Sequence, residues 1–106
     1  MSVIHIKSAA EFDTYLSKGK CAVDFTAVWC GPCQFIGPKF DALSKKYTTI
    51  QFLKVDVDEV AEIAERLAIS AMPTFCFFDN GQQSVSQLVG ANEKELDRKL
   101  TELESS

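Results

Sequence analysis

Residues 21–33 are Cys-Ala-Val-Asp-Phe-Thr-Ala-Val-Trp-Cys-Gly-Pro-Cys. The first six residues form an apolar run with the length and composition of a buried strand. Pro32 has a backbone φ angle that suits the opening of a helix, and a helical pattern continues to about Tyr47. The stretch therefore predicts a buried strand that turns directly into a helix, with Cys30 and Cys33 at the junction.

Apolar strand-like runs alternate with helical patterns on both sides of this junction. Ser8 and Glu11 form a capping box that opens the first helix, and Asn80-Gly81 is a hairpin signal between two strands. The predicted strands cover residues 3–6, 21–26, 50–56, 75–79 and 85–89. The predicted helices cover residues 8–19, the stretch from the cysteine turn to about 47, residues 59–67, and the end of the chain from 92.

The resulting order, βαβαβαββα, is that of an α/β fold. Strands joined through helices are expected to run parallel, and the terminal hairpin to be antiparallel. Four apolar residues of the second helix are spaced to share its buried face: Phe35, Ile36, Phe40 and Leu43. We expect a single domain over residues 1–106, with a central mixed five-stranded sheet flanked by four helices.

Composition narrows the classes of function. The chain has 106 residues, of which 46% are hydrophobic and 25% charged, as expected of one soluble domain with an ordinary core. The net charge is −4 with both signs interspersed, which argues against nucleic acid as a partner. No secretory signal or membrane-spanning run is recognisable, so we expect a cytoplasmic protein that does not bind membranes.

The two cysteines at the junction have the spacing of a redox-active dithiol. A helix N-terminus favours an anion, so Cys30 is expected to have a lowered pKa and to be the exposed nucleophile. Cys33, one turn into the helix, is expected to be more buried and to resolve the mixed disulfide that Cys30 forms. Gly31 and Pro32 lie between the sulfurs and tune the redox couple.

The same Cys-x-x-Cys spacing also occurs as half of a zinc site. Cys21 lies at the far end of the same strand, on the order of 15 Å from Cys30, and cannot complete such a site. A zinc-holding or redox-sensing module remains an alternative, as does a non-catalytic binding module in which the dithiol is incidental. We expect no bound metal.

Asp24 is a carboxylate in the middle of an apolar strand, where burial without a counter-charge is costly. Its pKa should be raised by desolvation, and it is a candidate to accept the proton of Cys33. Lys54 lies within the apolar run of residues 52–55 and is a candidate partner for Asp24 on a neighbouring strand. The alternative is a purely structural carboxylate, satisfied by Lys54 or by the backbone.

Taken together, the Trp29–Cys33 motif, Asp24 in the preceding strand, Met72-Pro73-Thr74, Asn80-Gly81 and Gly90 resemble the thioredoxin family over essentially the whole chain. Residues 25–27 and 69–73 are most similar to its eukaryotic cytosolic members. The resemblance implies the thioredoxin fold and a protein-disulfide reductase. It also implies a cis peptide bond before Pro73, facing the cysteines.

Further expectations come from the same resemblance. The Met72 backbone should pair with an extended substrate segment, and the proposed substrate-binding residues are Trp29, Met72, Pro73, Thr74, Gly90 and Ala91. The family binds no cofactor; it takes electrons from NADPH indirectly, through thioredoxin reductase. The implied partners are that reductase and disulfide-containing proteins such as peroxiredoxins, with the chain acting as a monomer.

Two residues depart from the common family pattern. Gln34 follows the dithiol where Lys or Arg is frequent, and its neutral side chain should modestly change thiolate stabilisation or partner steering. Cys76 lies in a strand where most members have another residue. Cys21 and Cys76 are interpreted as small buried hydrophobes, with regulatory thiols as the alternative. His5 is expected to be exposed.

Overall fold

The computed structural model describes residues 3–106, which form ten elements in chain order. The strands are β1 (Ile4–His5), β2 (Lys20–Thr26), β3 (Gln51–Asp56), β4 (Thr74–Asp79), β5 (Gln82–Gln83) and β6 (Leu88–Val89). The helices are α1 (Ala9–Leu16), α2 (Gly31–Lys46), α3 (Ala61–Arg66) and α4 (Glu93–Glu104). Within the described residues, no helix has the length and apolar character needed to cross a membrane.

One mixed sheet organises these elements, in the order β1-β3-β2-β4-β5, with β6 also paired to β4. The strands β1 and β2 both run parallel to β3, whereas β4 runs antiparallel to β2. The α/β fold with four helices is confirmed. The predicted junction is also confirmed, because β2 ends at Thr26 and α2 begins at Gly31.

The direction of β4 corrects one expectation. We expected strands joined through helices to be parallel. The α3 helix connects β3 to β4, and yet these two strands run in opposite directions. The α3 helix is short: its six residues advance the chain by about 9 Å, less than half of the about 20 Å that the six residues of β3 span. The helix by itself does not return the chain to the start of β3. The chain therefore enters β4 beside the C-terminal end of β2, where Thr74 pairs with Phe25.

The predicted strand at 85–89 is correct only at its end, where β6 pairs antiparallel with β4. The strand that directly follows the Asn80-Gly81 turn is β5, so the sheet has six strands instead of five. Val85 and Leu88 both pack into the same core, on one face of the sheet. Residues three apart in a continuous strand point to opposite faces. Between β5 and β6 the chain therefore departs from regular strand pairing, and the Val85 and Leu88 side chains come to lie on the same face of the sheet.

The sheet separates two apolar cores. The α2 and α4 helices cover one face with Ile36, Phe40, Leu96 and Leu100, among others. The α1 and α3 helices cover the other face with residues that include Phe12, Leu16 and Ile63. Alternation along β2 divides its side chains between these faces, since Ala22 belongs to the first core and Val23 to the second.

Phe35 does not belong to either core. We expected it on the buried face of α2, but its side chain is 57% exposed, while Ile36, Phe40 and Leu43 are buried. The buried face of α2 contains Cys33, Ile36 and Phe40, which follow one another at helical spacing. Phe35 is two residues after Cys33, or about 200° around the helix axis, and so points away from Cys33. Phe35 is therefore a large apolar side chain on the surface of α2.

Candidate active site

Cys30 and Cys33 form a disulfide at the N-terminus of α2, with their Cα atoms 5.3 Å apart. Cys30 is the N-cap residue and has an extended backbone, with φ −91° and ψ 112°. The backbone N–H of Cys33 donates a hydrogen bond to the Cys30 sulfur over 3.2 Å. The first helical turn thus directs a backbone donor at Cys30, which favours a negatively charged sulfur at that position.

The two cysteines do not differ in exposure as expected. Cys30 is 5% exposed and Cys33 4%, so the prediction of an exposed Cys30 is wrong for this oxidised form. Both pack with Ala27, Val57 and Met72, and the Cys30 sulfur lies 3.5 Å from the Met72 carbonyl oxygen. What distinguishes Cys30 is its place at the helix cap, while the exposed residues are Gly31 and Pro32 between the two sulfurs.

The loop facing the disulfide contains the expected cis peptide bond, between Met72 and Pro73. The N–H of Gly90 donates to the Pro73 carbonyl oxygen over 2.9 Å, which fixes the segment of Gly90 and Ala91 beside this loop. Gly90 has a φ of +111°, which side-chain-bearing residues rarely adopt.

Thr74 was expected to bind substrate, and the structure places its side chain away from the surface. Its side chain is buried, with an exposed fraction of 2%, and its hydroxyl donates to the Ala71 carbonyl oxygen over 2.6 Å. A buried hydroxyl with an internal partner is not available to a docking protein. Thr74 instead holds the turn that carries the cis peptide bond, while Met72 is half-buried and borders the disulfide.

Trp29 lies at the surface immediately before Cys30, with 67% of its side chain exposed. Its indole N–H donates to Asp58 Oδ2 over 2.8 Å. The sequence analysis did not identify Asp58. No local pattern marks this residue, because the contact depends on the parallel register: Thr26 pairs with Asp56 at the strand ends, and the loops that follow lie side by side. Asp58 thus fixes the orientation of the indole.

Asp24 is nearly inaccessible, with 2% exposure, and its Oδ1 atom has no hydrogen-bond partner within the described residues. It lies in register with Lys54 of the neighbouring parallel strand, as expected. Burial raises the pKa of Asp24 from 3.8 to about 7, and the attraction of the Lys54 ammonium opposes this only in part. The carboxyl group is therefore poised to exchange a proton near neutral pH.

A cavity of about 500 Å³ joins Asp24 to the dithiol. Its walls include Asp24, Cys33 and Lys54, and further lining residues are Thr26, Gln34 and Asp41. The volume is large enough for several water molecules, and the polar side chains offer them partners. Gln34 donates a 3.4 Å hydrogen bond to the Val28 carbonyl oxygen, so its amide is held between the cavity and the surface.

The other two cysteines are fully buried in the core on the α1 and α3 face. Burial raises the pKa of both Cys21 and Cys76 to about 11, which makes them poor nucleophiles at neutral pH. This agrees with their interpretation as small buried hydrophobes. His5 is exposed and lies 3.3 Å from Glu59. Across residues 3–106, no three His, Cys, Asp or Glu side chains are grouped as a metal site would require.

Comparisons with known proteins agree with this geometry. The thioredoxin family model matches residues 3–102. An H-type thioredoxin of Picea mariana is 52% identical over 87 residues, which is 82% of this chain and 69% of that protein. The thioredoxin of Ictalurus punctatus is 45% identical over 105 residues, covering 94% and 97% of the two chains.

Solved structures share the fold closely. Plasmodium falciparum thioredoxin superposes with a TM-score of 0.90 at 44% identity, covering 93% of this chain and 97% of that one. A chain studied for thiol resolution in yeast mitochondrial 1-Cys peroxiredoxin has a TM-score of 0.90 at 33% identity, covering 96% of each chain. With Cys30 and Cys33 paired at the helix cap, the chain belongs to the thioredoxin family and is a protein dithiol–disulfide oxidoreductase.

Proposed function

We propose that Cys30 is the attacking thiolate and Cys33 the resolving one. The Cys30 thiolate attacks one sulfur of a substrate disulfide, whose S–S bond breaks and releases a thiolate. The Cys33 thiolate then attacks the Cys30 sulfur and releases the second substrate thiol. The substrate gains two electrons and two protons, and this protein keeps the Cys30–Cys33 disulfide.

The observation that carries this assignment is the N-cap position of Cys30, which receives the Cys33 N–H at 3.2 Å. A backbone donor and the positive end of a sixteen-residue helix stabilise charge on that sulfur. Cys33 is 4% exposed and lines the cavity that also holds Asp24, which suits a thiol that acts only within the complex. Gly31 and Pro32 tune the couple, because they set the helix opening and leave the approach to sulfur open.

Asp24 is proposed as the acceptor of the Cys33 proton. Both groups line the same cavity, and Asp24 Oδ1 is without a hydrogen-bond partner in the described part of the chain. A water molecule in the cavity relays the proton when Cys33 attacks the mixed disulfide. Lys54, in register with Asp24, moderates the rise in the pKa of Asp24 and keeps it near neutrality.

The substrate segment is proposed to bind in an extended form between Trp29 and the loop of Met72 and Pro73. Proline has no N–H, so the backbone groups of Met72 are the ones that pair with the substrate. The segment of Gly90 and Ala91, tied to the Pro73 carbonyl oxygen, forms the other wall. Thr74 contributes only by holding the Met72–Pro73 turn.

Recycling is assigned to an NADPH-dependent thioredoxin reductase, so that electrons reach this protein without a cofactor of its own. Peroxiredoxins are proposed among its substrates, in line with the structural relative studied with a 1-Cys peroxiredoxin. A cytoplasmic location fits the two free buried thiols, which reducing compartments maintain. The chain is proposed to act as a monomer and as one domain over residues 1–106.

Trapping the intermediate tests the order of the two cysteines. A Cys33→Ser protein should accumulate a mixed disulfide with an oxidised peroxiredoxin, seen as a higher-mass band on non-reducing gels. A Cys30→Ser protein, the matched control, should form little of this adduct. Equal trapping by both variants would contradict the assignment, and so would trapping by Cys30→Ser alone. NADPH consumption with a thioredoxin reductase tests the recycling step separately.

A further inference from the structure

The most exposed large apolar side chains of residues 3–106 are concentrated around the dithiol. They are Val28 (79% exposed), Trp29 (67%), Phe35 (57%) and Val89 (56%). Val28 and Trp29 directly precede Cys30, and Val89 directly precedes Gly90 of the proposed substrate groove. Soluble proteins seldom keep such side chains together at the surface unless a partner covers them.

Phe35 extends this apolar region along α2. It lies four residues after Gly31 and three after Pro32, so it occupies the same side of the helix, one turn behind them. Gly31, Pro32 and Phe35 are all exposed. A partner that reaches the Cys30 sulfur past Gly31 and Pro32 therefore comes within one helical turn of the Phe35 ring.

The cation nearest Phe35 already has partners within the chain. The Lys39 ammonium lies 5.0 Å from the centre of the Phe35 ring and 3.5 Å from Glu93 Oε1. The Trp29 indole is paired with Asp58. Because the Lys39 ammonium and the Trp29 N–H already have partners, the exposed Phe35 and Trp29 rings are left to bind a ligand mainly by apolar contact.

We propose that Phe35 is a specificity-determining residue, which binds an apolar side chain flanking the reactive cysteine of a protein substrate. The occupant is a disulfide-bearing polypeptide segment with an apolar residue beside its cysteine. This inference rests on the proposed attack by Cys30, since the substrate disulfide must lie at the cap of α2. It adds a contact that the groove between Trp29 and Met72 does not supply.

Rate constants for matched peptide disulfides test the proposal. Two symmetrical peptide disulfides are compared, identical except that the residue flanking each cysteine is Leu in one and Ser in the other. The pre-reduced protein reacts with each in single-turnover experiments, together with bis(2-hydroxyethyl) disulfide as a substrate without a docking segment. We expect the wild-type protein to favour the Leu peptide about tenfold, the factor that about 1.4 kcal/mol produces.

Phe35→Ser should reduce this preference to nearly one and leave the rate with bis(2-hydroxyethyl) disulfide unchanged. Phe35→Leu, which keeps an apolar side chain, should retain most of the preference. Ala42→Ser, an exposed position two turns further along α2, is the control and should retain all of it. Thermal unfolding followed by circular dichroism verifies that the variants fold.

An unchanged Leu-to-Ser ratio in Phe35→Ser would overturn the proposal. An equal loss with all three disulfides would also overturn it, since that result indicates an effect on the dithiol itself. If the wild-type protein reduced none of the three, the proposed dithiol exchange would fail as well, and the two failures are thereby distinguished.

Discussion

Replacing Asp24 by Asn is expected to stabilise the oxidised protein strongly at pH 8 and only slightly at pH 4. Burial raises the pKa of Asp24 from 3.8 to about 7, against the weaker attraction of Lys54. Between these two values the folded protein keeps a proton on Asp24 that the unfolded chain has released. The folded state therefore binds more protons than the unfolded state over this range.

The sign and size of the effect follow from that difference. Stability falls with rising pH wherever the folded state binds more protons, so the contribution of Asp24 is fully present below pH 3.8 and is lost as pH rises through about 7. At about 1.4 kcal/mol for each pH unit between the two pKa values, the ionised carboxylate costs about 4 kcal/mol at pH 8. An asparagine side chain is neutral at every pH and has nearly the same shape as aspartate, so the substitution removes this cost.

Urea denaturation of the oxidised proteins at pH 4 and pH 8 measures the effect. The free energy of unfolding of Asp24→Asn should exceed that of the wild type by about 4 kcal/mol at pH 8 and by under about 1 kcal/mol at pH 4. Asp41→Asn is the matched control, because Asp41 borders the same cavity but is exposed, and it should show no such dependence. An equal gain at both pH values would refute the reasoning, as would no gain at pH 8.

Two further predictions concern the proton transfer and the packing of α2 on α4. Asp24→Asn should slow the attack of Cys33 on a preformed mixed disulfide by about a hundredfold at pH 7, because positioned acid–base groups contribute at least that factor. Stopped-flow measurements give this rate, and an unchanged rate would remove Asp24 from the mechanism. Tyr47→Phe should lower the free energy of unfolding by about 1–2 kcal/mol in urea titrations. The reason is that the buried Tyr47 hydroxyl donates a hydrogen bond to the Asp97 carboxylate and lies 2.7 Å from the Thr101 hydroxyl. An unchanged free energy would show that water replaces these bonds without loss.

The parts of the site that the sequence predicted are those that local pattern determines. The strand-to-helix junction placed Cys30 at a helix cap, because the apolar run ends and Pro32 begins a helical pattern within a few residues. Asp24 and Lys54 were expected to be neighbours because each interrupts an apolar strand, and the parallel register does pair them. Such features depend on a few consecutive residues and on the two-residue period of strands.

The parts that the sequence did not predict depend on contacts between distant segments. The exposure of Cys30 is set by packing against Met72, which is 42 residues away. The hydrogen bond of Trp29 to Asp58 joins two loops that only the sheet register brings together. Phe35 was assigned to the core because the helical pattern admits two neighbouring faces, and only the position of the sheet decides between them.

The two-residue period of β2 explains how one short motif places a buried carboxylate beside the dithiol. Asp24 and Thr26 line the cavity beside Cys33, whereas Val23 and Phe25 pack into the core on the opposite face of the sheet. A shift of one residue in the register of β2 would send Asp24 to that second core, away from the dithiol. Cys33 lines the cavity, and the Cys30 sulfur lies against the Met72 carbonyl oxygen. The first turn of α2 thus places one sulfur beside the Met72 loop, where we propose that substrates dock, and the other beside the cavity that holds the proposed proton acceptor.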